Sequence, residues 1–91
     1  MNSLDEVCVQ MRLFQQALVE FNQEVGSSAT ALARSHEDLS GLWHDEAALR
    51  YRQAYEPLAQ SLDDYLRAGA PRFEHFLASK IQQLEHYLHG A

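Results

Sequence analysis

From Leu4 onward, apolar residues return in steps of three and four: Leu4, Val7, Met11, Phe14, Leu18, Phe21, Val25, then Leu32 and Leu39. Ser28 and Ser35 fill the two places in the series that are not apolar. This spacing lays a stripe along one side of an α-helix and excludes a strand, whose apolar positions would alternate. It predicts a first helix of about 35 residues, roughly 50 Å long. Gly26-Ser27-Ser28 lies inside it, and a glycine there costs about 1 kcal/mol relative to alanine, so a bend or weak point is expected. Ser40-Gly41 is expected to end the helix, with Gly41 free to take the left-handed conformation. Leu42, Trp43 and His44 then cross a turn, and Asp45 is placed to cap a second helix, with Glu46 favouring its positive end.

The second helical region carries Ala48, Tyr51, Tyr55, Leu58, Leu62, Tyr65 and Leu66, and later Phe73, Phe76, Leu77, Ile81, Leu84 and Leu88. Two positions punctuate it. Pro57 cannot donate to the carbonyl of Gln53, so a kink or restart is expected there. Gly69-Ala70-Pro71 is the stronger break, with Pro71 suited to the first turn of a renewed helix. The expectation is one bent helix or two consecutive ones. A rod of this length cannot bury its stripe against itself, so the second region must fold back along it. The fold class expected is therefore all-α, an antiparallel helical hairpin with a kinked second helix forming a single domain over residues 1–91.

Apolar residues beyond the main stripe (Val9, Leu13, Val19, Phe76, Tyr87) call for a second buried face. Two helices alone make a thin core at this size, and pairing of two hairpins into a four-helix bundle would cover both faces. The seam or dimer-interface residues are expected to be Val7, Met11, Phe14, Leu18, Phe21, Val25, Leu62, Phe73, Leu77 and Leu84.

Composition narrows the function. The chain is 46% hydrophobic and carries 13 acidic against 7 basic residues, a net charge of -6. Displacing counterions from nucleic acid needs a concentrated positive surface, and Arg50-Tyr51-Arg52 is the only local basic pair, so neither nucleic acid nor an anionic membrane is expected as a partner. The single cysteine, Cys8, permits no internal disulfide and no cysteine-based zinc cage. It reads as a small buried hydrophobe, or as half of a cross-chain disulfide. The N-terminus carries acids where a signal peptide carries Lys or Arg, and no window reaches a membrane span, so the chain is expected in the cytoplasm, with any export by a leaderless route.

The segment from Leu39 to Leu58 is the most distinctive, with Trp43 in the turn, Asp45 two residues on, and aromatics at Tyr51 and Tyr55. It resembles the WXG-type (ESX-like) proteins, small helical hairpins with a tryptophan between their helices. Asp45 stands where that motif has glycine. The close likeness covers about a fifth of the chain and the hairpin layout nearly all of it. The resemblance implies a homodimer or a dimer with a sister hairpin, handled by the translocation ATPase of a type VII-like secretion system; some relatives act as adaptors or as domains fused to toxins. The family's export signal, a tyrosine followed four residues later by an acid, has no counterpart, since Tyr87 leads to Ala91. His75 and His86 match the eleven-residue spacing of another family pattern, with Ser79 and Gln82 where it has an acid and an apolar residue.

The candidate site residues are Trp43, Asp45, Tyr51, Tyr55 and Pro57. Trp43 can pack into the open end of its own hairpin or anchor a partner. Tyr51 and Tyr55 share a face suited to core packing or to an aromatic surface. The histidines His75, His86 and His89, with Glu85, fall short of a closed four-ligand metal site, and no metal or cofactor is expected. No phosphate loop, no nucleophile beside a base and no di-iron Glu-x-x-His pair occurs, so the chain is not expected to be an enzyme. Two functions remain: a dimerising hairpin that is a substrate or escort of a type VII-like system, or a cytosolic adaptor that binds a larger protein through a bundle face.

Overall fold

The computed structural model describes residues 3–90, and all regular structure among them is helical. α1 (Ser3–Leu42) is followed by α2 (Glu46–Asp64), a π-helical turn (Tyr65–Gly69) and α3 (Ala70–His89). α2, the π turn and α3 form one continuous arm that returns along α1. The result is a rod of 65 × 17 × 16 Å, the length of α1 and two helices wide.

Three details of the helix ends and breaks correct the sequence-based picture. α1 runs through Gly26-Ser27-Ser28 without interruption. The expected weak point is held because a methyl group at Gly26 would only just touch Leu66 of the returning arm, at 4.0 Å, so the chain faces a packed neighbour there and not water. α1 also continues past Gly41 to Leu42, and Gly41 is not left-handed; among the described residues only Gly90 has a positive φ. Side chains from across the turn satisfy the last carbonyls instead. Arg52 Nη2 donates to the Trp43 carbonyl at 2.8 Å, and the ring of His44 donates through Nε2 to the Gly41 carbonyl at 3.2 Å. With those acceptors engaged, a left-handed glycine cap is not needed.

Pro57 lies inside α2 without restarting it. Both Pro57 and Gln53 are exposed, so water can take the carbonyl that the proline leaves free. The break at Pro71 is met differently. The Ala70 N–H bonds to the Tyr65 carbonyl, five residues back, and this wider turn shifts the carbonyl that would collide with the proline ring. Pro71 then falls in the first turn of α3, where its missing N–H matters little.

The hairpin closes on a narrow seam. Leu18, Leu77 and Ile81 form its buried cluster, with Met11 packed against it, and no large side chain among the described residues is fully buried. Above this cluster the seam is polar. Asn22, 7% exposed, donates through Nδ2 to Glu74 Oε2 at 2.8 Å, and its Oδ1 accepts from the Tyr65 hydroxyl at 2.5 Å. The π turn carries Tyr65 into this position. Gly69 leaves room for this placement, because a Cβ there would sit 3.1 Å from the Tyr65 ring and press it aside by a few tenths of an ångström.

The two glycines therefore differ in a measurable way. Gly26→Ala is expected to stabilise the protein by about 0.5–1 kcal/mol, since the helical conformation suits alanine and the added methyl would meet Leu66 at an ordinary contact distance of 4.0 Å. Gly69→Ala is expected to destabilise it by displacing Tyr65 from Asn22. Urea unfolding of both variants at one fixed protein concentration checks the opposite signs.

Candidate interaction surface

Asp45 organises the turn. It sits in extended backbone at φ −83° and ψ −176°, and its Oδ1 accepts from the Ala48 N–H at 3.0 Å, capping α2. Asp45 thus acts as a helix cap in extended backbone, with no left-handed turn. That backbone bond, with a weaker contribution from the Trp43 side chain, holds the Asp45 carboxyl below its ordinary value of 3.8. Ala48, 1% exposed, is pressed beneath the turn.

Behind the cap, four rings stack down the hairpin. The centroids of Trp43 and Tyr51 are 5.6 Å apart, those of Tyr51 and His36 5.5 Å, and those of His36 and Tyr55 4.0 Å with nearly parallel planes. Tyr51 OH and His36 Nδ1 are also hydrogen bonded at 2.9 Å. Trp43, Tyr51 and Tyr55 are each half-buried, so the structure places all three in the closure of their own hairpin. Pro57 lies away from them on the exposed side of α2. His36 and Arg52, which complete this end of the molecule, carried no signal in the apolar pattern.

Burial divides the expected seam residues into two sets. Leu18 and Leu77 are buried, and Met11, Val25, Leu62 and Leu84 are half-buried within the hairpin. Val7, Phe14, Phe21 and Phe73 are instead 42–55% exposed. The helical repeat explains the split. The positions that face the returning arm are Cys8, Gln15, Asn22, Ala29 and His36, seven apart, all buried or half-buried. Val7, Phe14 and Phe21 precede three of these by one residue, about 100° around the helix. α1 therefore carries three adjacent columns, and the hairpin uses two of them.

The third column forms an apolar face. Phe14 meets Phe73 of α3 with ring centroids 6.0 Å apart. One open groove runs along Val7, Met11, Phe14 and Leu77, and a second continues along Phe21, Val25, Leu32 and Leu62. On the opposite flank Arg12 is ion-paired with Glu85. Cys8 is 7% exposed within the hairpin's own seam, which removes it from this face and from any disulfide formed across it. No three His, Cys, Asp or Glu side chains among the described residues gather as a metal site would need. No helix among them is long and apolar enough to cross a membrane. Comparison with protein-family models, curated proteins and solved structures finds no match.

The cap gives a pH prediction. The Asp45 carboxyl titrates lower in the fold than in the unfolded chain, so its contribution is complete above about pH 4 and is lost as pH falls through the folded value. Thermal unfolding of the wild type and of Asp45→Asn, which keeps an acceptor oxygen but no charge, should differ near neutrality and converge below pH 3.8.

Proposed function

We propose that this chain is a non-enzymatic interaction module, a helical hairpin that pairs with another hairpin through the apolar face of Val7, Phe14, Phe21 and Phe73. The observation that carries this reading is exposed area. The hairpin leaves 6864 Å² accessible, whereas a compact monomer of its 10.4 kDa mass exposes about 5,400 Å². Its radius of gyration is 19.8 Å, against about 12 Å for a globular chain of this length. The surplus of about 1,500 Å² exceeds the roughly 800 Å² per partner of a standard interface and suits a permanent one. Its core is also apolar and aromatic, the composition of surfaces that are buried on assembly.

Packing a second hairpin on this face would yield a four-helix bundle, with Phe14 and Phe73 in its interior. The partner is a second copy or a sister hairpin. The tryptophan turn, the length and the hairpin layout support a WXG-like role as substrate or escort of a type VII-like secretion system, with the translocation ATPase or a toxin as a further partner. Asp45 capping α2 supports this too, because a capping aspartate supplies a tight turn at the place where the family motif has glycine. The second reading, a cytosolic adaptor bound to a larger protein, is favoured by the absence of the tyrosine-acid export pair around Tyr87.

Light scattering after size exclusion, over a dilution series, tests the pairing. The wild type is expected to have twice the mass of one chain. Phe14→Glu with Phe21→Glu is expected to raise the midpoint concentration for pairing by at least two orders of magnitude, since two buried rings are worth roughly 3–6 kcal/mol. A helical wild type that stays monomeric at every concentration would sink the proposal.

A further inference from the structure

Resting on that pairing, we propose that the occupant of the apolar face is a second copy of this chain. The two copies are related by a two-fold axis along the rod, so both turns lie at one end. Each α1 then covers the α2–α3 arm of the other copy.

The argument comes from the charges beside the face. On α1, Glu24 lies three residues after Phe21 and borders the outer edge of the apolar column, with Glu6 and Glu20 close behind it. All three are exposed, and no ion pair among the described residues uses them. The corresponding edge of the returning arm is basic. Lys80 sits over the Phe76 ring, 5.5 Å from its centroid. Arg72, exposed and outside every internal ion pair, immediately precedes Phe73 and is four residues from Phe76. One face thus has an acidic edge on one side and a basic edge on the other.

Such a face complements itself in only one of the two symmetric arrangements. A two-fold axis across the rod at the Phe14–Phe73 level would lay α1 on α1 and bring the edge of Glu20 and Glu24 against the Asp5–Glu6 end of the other copy's edge, acid against acid. An axis along the rod lays α1 on the opposite arm and preserves height. Height is fixed by the seam: Phe14 touches Phe73, and Asn22 bonds both Tyr65 and Glu74. Arg72 therefore stands level with the Phe14–Glu24 stretch of α1, facing Glu20 and Glu24 of the second copy. The same operation brings the two Phe14–Phe73 pairs to a single level, forming a four-ring layer at the centre of the contact. A chain with net charge -6 must bring two like-charged bodies together, so placing its few bases opposite acids matters more than in a neutral protein.

The test places one nitroxide label at the turn, on His44→Cys in a Cys8→Ser background, and measures label separation by pulsed dipolar spectroscopy beside the mass in solution. With both turns at one end, the separation is expected near the bundle width, about 20–30 Å for helices roughly 10 Å across. Turns at opposite ends would put the labels at a separation approaching the 65 Å length of the rod. That result, with a dimeric mass, overturns the arrangement and leaves hairpin pairing intact. Monomeric mass without dipolar coupling overturns both. Charge exchange supplies a second readout. Glu24→Arg and Arg72→Glu are each expected to weaken dimerisation about tenfold at low salt, because the two-fold axis repeats every edge pair. The double variant is expected to recover most of the loss, and additive weakening would contradict the edge pairing.

Discussion

The rest of the structure depends on one geometric constraint: a helix of 40 residues cannot be covered by a single partner helix when its inward column and its apolar positions together span three columns. The returning arm takes the two columns that face it. The third keeps Val7, Phe14 and Phe21 about half exposed, and no large side chain among the described residues reaches full burial. Burying apolar area is the main favourable term in folding, and at this chain length it is scarce even in a compact shape. An extended hairpin has less of it still. The shape that gives this protein its long face is the same shape that leaves the face uncovered, so structure and function follow from a single deficit.

The division between columns is chemical as well as geometric. The column that closes the hairpin holds Cys8, Gln15, Asn22, Ala29 and His36, small or polar in every place. Polar residues in a helical seam lower stability but fix register, because a slip leaves a buried group without its partner. Here Asn22 answers to Tyr65 and Glu74, and His36 to Tyr51. One such contact lies near the middle of the rod and the other near the turn, so sliding the arm by one turn would break both. The π turn belongs to the same arrangement. It accommodates Pro71 and delivers Tyr65 to Asn22, with Gly69 leaving room for the ring.

This division also decides what could be read from the sequence. The helices, the hairpin and the cap at Asp45 were legible, because apolar spacing and a capping residue act locally. The facing of α1 was not. The most apolar column, Val7, Phe14 and Phe21, is the natural choice for the internal seam, and the chain instead turns inward a column that no hydrophobic pattern marks. Only the regular seven-residue recurrence of Asn22, Ala29 and His36 held that information, and it becomes meaningful once their partners 15 to 52 residues away are known. The end of α1 was hidden for a similar reason. Gly41 is a reasonable stop until Arg52 is seen to reach back to the Trp43 carbonyl. The candidate turn residues were found, but His36, which joins their rings into one stack, was not.

The two ends of the rod are stabilised in different ways, and this bears on how the face is used. At the turn, the Asp45 cap, the Arg52 bond and the stack from Trp43 to Tyr55 are contacts within one chain and close in sequence. They need no partner to form. At the open end, α1 and α3 are held by Met11, Leu18, Leu77 and Ile81, with Phe14 and Phe73 beside them still half exposed. Covering those rings would stabilise the part of the hairpin where chain closure is most distant in sequence. On the proposed pairing, association and completion of the fold would be one event, and the stability of the hairpin would depend on the concentration of its partner. A polar, register-fixing seam inside and an apolar, area-rich face outside divide the two tasks: the first selects which hairpin forms, and the second, on the proposed pairing, would supply the burial that the narrow seam lacks.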